Sequence, residues 1–72
     1  MSGQAMLMEL GYDQTQDEPG TAVFYKDTMI EFEIHISLTD IWKRDLSGGR
    51  IPLSSRELEA AKLIQQEMRM DF

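Results

Sequence analysis

The chain has 72 residues, 42% of them hydrophobic, and its 13 acids, 7 bases and single histidine give a net charge of −6. That length admits one domain, 1–72, and the composition is globular rather than that of a disordered tail. The absence of cysteine excludes disulfide scaffolds, thiolate zinc sites and cysteine nucleophiles, and the lone His35 excludes any site built on two imidazoles.

No apolar run approaches the ~18 residues that a membrane helix needs. Met1 to Leu10 lacks a basic leader segment and carries Glu9, so the expectation is a cytoplasmic protein with no membrane partner. A domain of this size buries only about 60% of its unfolded surface, which makes self-association or a partner a reasonable expectation.

In chain order, Ala5 to Leu10 combines strong helix formers with no β-branched residue, and Gly11 is placed to end a short helix. The same stretch alternates Met6, Met8, Leu10 and Tyr12, as a strand would. Since a lone hairpin gains from a third strand, the strand is expected, with a helix as the alternative. Residues 13–20, DQTQDEPG, read as a polar loop closed by a Pro19-Gly20 turn.

Thr21 to Leu38 carries the clearest pattern. Ile30, Phe32, Ile34, Ile36 and Leu38 alternate with Met29, Glu31, Glu33, His35 and Ser37, which marks a half-buried strand. A turn at Asp27-Thr28 would pair Tyr25 with Ile30 and Val23 with Phe32, placing the large apolar groups on one side. Asp-Thr is not a favoured two-residue turn, so a longer loop keeping that register is the alternative.

Thr39 is placed to cap a short helix near 40–46, with Trp42 and Leu46 on one face, and 47–53 reads as a linker containing Gly48, Gly49 and Pro52. Ser54-Ser55-Arg56-Glu57 is a capping box opening a helix over about 55–70. Leu58, Ala61, Ile64 and Met68 form its sheet-facing stripe, and Leu63 and Met70 lie off it as a second strip. The expected fold class is α+β: a small antiparallel sheet covered on one face by the C-terminal helix.

Charge is unevenly spread. Residues 1–36 hold Glu9, Asp13, Asp17, Glu18, Asp27, Glu31 and Glu33 against Lys26 alone, whereas acids and bases balance in 37–72. Glu31, Glu33 and His35 recur at every second residue, and three such groups could share a divalent metal or form a small metal-dependent enzyme site. Alternation alone already accounts for polar residues there, and no further ligand completes a shell.

The loop acids Asp13, Asp17 and Glu18 lack the spacing of a calcium loop, and no serine lies in a GxSxG elbow. Trp42 with Lys43, Arg44, Arg50 and Arg56 offers too few bases for nucleic acid on so acidic a chain.

The expected function is therefore non-enzymatic protein binding without a cofactor. Asp13, Asp17, Glu18, Asp27, Glu31 and Glu33 would present a negative surface to a basic, nucleic-acid-handling partner protein, as an inhibitor or accessory factor that mimics phosphate. By analogy only, phages and mobile elements use proteins this small and acidic. Leu63 and Met70 would serve partner or homodimer contact, and a structural subunit docking through that helix is the alternative.

Overall fold

The computed structural model describes residues 2–70. Its elements are α1 (Gly3–Glu9), β1 (Asp13–Glu18), β2 (Thr21–Asp27), β3 (Glu31–Ser37), β4 (Ile41–Asp45), β5 (Arg50–Ile51) and α2 (Ser55–Met70). The strands form one antiparallel meander in chain order, β1-β2-β3-β4-β5, and the helices share one face of it. The α+β class, the central hairpin and the C-terminal helix are as the sequence implies; six local readings are not.

Residues 3–9 are helix rather than a third strand. Ser2 caps α1 by accepting the Ala5 N–H at 3.1 Å, and Gly11, at φ 97°, turns the chain out of it. Gly3, Met6 and Leu7 are the buried face, with Leu10 packed against the core. That is the i, i+3, i+4, i+7 spacing of a helix. Gly3 lets the helices touch: a Cβ there would stand 2.3 Å from the Ala60 carbonyl oxygen.

The third strand that the hairpin needed is supplied instead by 13–18, expected as loop. Its sequence has little strand propensity, so pairing with β2 outweighs local preference. A bulge between Gln14 and Gln16 and a row of exposed polar residues keep this sheet edge soluble. Pro19-Gly20 is the β1–β2 turn, with Gly20 at φ 80°.

The expected 40–46 helix is β4. Ile41 and Trp42 suit a strand, and the Ser37–Asp40 turn, closed by a 2.8 Å bond from the Ser37 N–H to the Asp40 carbonyl, returns the chain antiparallel. Within the expected 47–53 linker, Arg50 and Ile51 form β5 after a turn in which the Asp45 carboxylate accepts the Ser47 N–H at 2.8 Å and its hydroxyl at 2.7 Å. These two bonds hold Asp45 below the usual carboxylate range.

The hairpin register also differs. Asp27 pairs with Glu31, Tyr25 with Glu33 and Val23 with His35. The loop is therefore Thr28–Ile30, tied by the Thr28 hydroxyl donating to the Ile30 carbonyl at 2.7 Å. An odd slip reverses the face of a strand. Ala22 and Phe24 turn to the helices beside Ile34 and Ile36, while Val23 and Tyr25 take the other face.

The stripe of α2 is rotated as well. Glu57, Ala60, Ala61 and Ile64 are its buried residues, whereas Leu58 is exposed. The capping box accounts for this. Ser54 accepts the Glu57 N–H at 3.2 Å, and the Glu57 carboxylate accepts the Ser54 N–H at 2.8 Å. That same carboxylate, on a residue only 6% exposed, accepts the Tyr12 hydroxyl at 2.5 Å and the Lys43 ammonium at 2.9 and 3.0 Å.

Burial alone would raise the Glu57 carboxyl; the bonds from Tyr12, Ser54 and Lys43 outweigh it and hold it below its ordinary range. Burial first, and then the Glu57 partner, push the Tyr12 phenol strongly up.

A lowered folded value means that this stability is present above the ordinary carboxylate value of 4.5 and is lost as pH falls through the folded one. Glu57→Gln, which leaves Lys43 without its counter-charge, should cost roughly 3–5 kcal/mol at pH 7. That is comparable with the whole stability expected of such a chain, about 4–11 kcal/mol. Urea melts at pH 7 and at pH 3 should show the variant far weaker at neutral pH, with a smaller further loss on acidification. Equal midpoints at pH 7 would remove the junction's importance.

Candidate functional site at the hairpin end of the sheet

With both helices on the face of Ala22, Phe24, Ile34 and Ile36, the register puts Asp13, Tyr25, Asp27, Glu31, Glu33, His35, Trp42, Arg44 and Arg50 on the opposite, helix-free face. The six expected site acids are thus divided. Asp13, Asp27, Glu31 and Glu33 gather toward the end of the sheet formed by the β2–β3 loop. Asp17 and Glu18 lie at the other end of β1, on the order of 13–17 Å away, beside the β1–β2 turn.

Glu33 is the best satisfied of the four. Its Oε1 lies 2.7 Å from an Arg44 guanidinium nitrogen and 3.1 Å from His35 Nε2. Burial would raise its carboxyl, and the His35 and Arg44 bonds overcome this and hold it low. His35 in turn stacks on Trp42, ring centres 4.0 Å apart, and the Arg50 guanidinium sits 4.5 Å from the same indole centre. Two neighbours so close leave little indole for a nucleobase to stack on.

Glu33 and His35 are therefore engaged in a packed surface layer of side chains. Among the described residues no group of three or more His, Cys, Asp or Glu has the geometry to hold a metal.

Asp13, Asp27 and Glu31 have no cation within salt-bridge distance among the described residues. Glu31 accepts the Tyr25 hydroxyl at 2.8 Å, and this bond, with smaller contributions from burial and nearby acids, raises the phenol to about 12. Asp27 and Glu31 are direct cross-strand partners. Like charges in that position oppose pairing, by about 0.2–1 kcal/mol.

Beside them are large apolar side chains that sequence reasoning assigned elsewhere. Met29 is fully exposed, Ile30 is 49% exposed and Leu46 39%. The sequence pattern places Ile30 within the alternating strand and Leu46 on the face of a 40–46 helix. The two loops are joined by the Leu46 N–H donating to the Glu31 carbonyl at 3.1 Å, so their tips are neighbours. Only the true register reveals this cluster, because it moves Ile30 out of the strand and into the loop.

On α2, Leu63 is half-buried and packs against the core, and Met70 is exposed. They lie two turns apart, and the shallow depression around Leu63 is otherwise lined by polar and charged side chains. No described helix is long and apolar enough to cross a membrane. Comparison with protein-family models, curated proteins and solved structures found no match to this chain.

Arg44→Ala should move the Glu33 carboxyl up toward the ordinary carboxylate range, read by carboxyl-carbon NMR over an acid titration. An unmoved titration would mean that Arg44 does not hold Glu33 in solution.

Proposed function

We propose that this chain is a small non-enzymatic binding protein. It docks on a basic surface of another protein through the hairpin end of its sheet. The observation that carries the reading is the join of two loops, where exposed Met29, Ile30 and Leu46 adjoin the uncompensated Asp27–Glu31 pair. An apolar centre with a charged rim is the anatomy of a protein contact. The facing carboxylates cost the hairpin stability and bring it no bond to each other, the kind of local conflict that tends to sit at functional positions.

A cationic groove on the partner would relieve that repulsion and be steered toward it by the long-range field. Nucleic-acid-handling proteins carry such grooves, so an inhibitor or accessory factor that stands in for phosphate is the specific form proposed. A second reading, docking through α2 as a structural subunit or homodimer, draws support from exposed Met70. Salt separates the two, since charge-led binding weakens as ions screen it.

Asp27→Lys is the decisive substitution, because Glu33 reversal would also break the Arg44 pair. Placing a cation opposite Glu31 should raise the urea midpoint by the equivalent of about 0.2–1 kcal/mol. It should also abolish capture of a basic protein from source lysate at low salt. Undiminished capture of the same protein by the more stable variant would refute the charge-led contact.

A further inference from the structure

On the helix side of the sheet, α2 rests on β3 and β4, and α1 packs along α2. Neither covers the far end of β1 and β2. A groove of about 600 Å³ is left there, floored by Phe24, Ile64 and Met68 and rimmed by Asp17, Glu18 and Glu67. One side of it is closed by the Gln4 side-chain amide donating to Gln14 Oε1 at 2.6 Å, which links α1 to β1. No lysine or arginine lines it, and none of the three rim carboxylates has a cationic partner among the described residues.

We infer that this groove is a second docking site, taking a segment of a partner protein with a large apolar side chain flanked by lysine or arginine. The apolar floor fits the apolar side chain. The rim fits its charged neighbours and repels anionic surfaces, nucleic acid included. A second copy is disfavoured by the same charges. The chain is at −6, and copies meeting along β1 would set Asp13, Asp17 and Glu18 against carboxylates of the same strand. The groove lies about the length of β1 from the loop tips, on the other face of the sheet, so it stands or falls separately from the hairpin-end contact.

The test is a titration of the full chain, isotope-labelled, with the hexapeptide Lys-Lys-Leu-Phe-Lys-Lys, followed by NMR. Saturable shifts are expected at the Ile64 and Met68 methyls and around Ala22. Replacing the central Leu-Phe of the peptide by Ser-Ser, or its lysines by glutamates, should weaken binding tenfold or more. Asp17→Lys combined with Glu67→Lys should weaken it about tenfold; both residues are exposed and outside the core, so the fold should be retained.

Shifts confined to residues 27–31 and Leu46, no saturable shifts, or equal binding of the glutamate peptide would each overturn the assignment. Concentration-dependent shifts of Ile64 and Met68 without peptide would overturn it in favour of a second copy.

Discussion

The carboxylate of Glu57 is where three distant parts of the chain meet. Tyr12, in the link between α1 and β1, donates to it; Lys43 on β4 neutralises it; and the Ser54 amide closes the helix cap on it. Four hydrogen bonds from three donors converge on one buried group, so rotating α2 about its axis would strand a charge away from water. This fixes which residues of α2 look inward. Ala60 and Ala61 follow Glu57 into the interior, and the small side chains let α1 approach closely enough that Gly3 meets the Ala60 backbone. Both helices are thereby held to one face, and the other face of the sheet is left open.

The open face needs another means of staying ordered, and side-chain pairing across the strands supplies it. Arg50, Trp42 and His35 stack, Glu33 bridges His35 and Arg44, and Tyr25 donates to Glu31. Most of the face is thus internally satisfied. Acids without a cationic partner among the described residues stand at two places the structure leaves open: the joined loop tips with Asp27 and Glu31, and, on the helix side, the acid-rimmed groove beside the β1–β2 turn. The excess of acid in the first half of the chain is spread over both, rather than concentrated on a single negative patch.

Elements whose pattern is set by their own side chains were legible in the sequence. The capping box marked the start of α2, and the alternation of β3 marked its buried face. Where pairing partners decide, the pattern was silent. Residues 13–18 have almost no strand preference and are strand because β2 offers an edge, and Ile41 to Asp45 follows the turn rather than a helix cap.

The two errors of facing share a cause. A helix stripe chosen by hydrophobicity alone favours Leu58 over Glu57, since it cannot foresee that Tyr12 and Lys43 will satisfy a buried acid. A hairpin register chosen by hydrophobicity alone pulls Ile30 into the strand and hides the exposed loop tip. Of the candidate acids, the sequence supplied the identities; dividing them between two ends of β1 required the bulge and the register.

In the proposed function the loop tips make the partner contact, on a scaffold whose helices face the other way. Amide hydrogen exchange of the complex with the captured basic protein, against the free chain, tests this most directly. Added protection is predicted at residues 27–31 and 45–47, with α2 exchanging as it does in the free chain. Protection confined to residues 59–70 would refute the proposed loop-tip contact and assign it to the C-terminal helix.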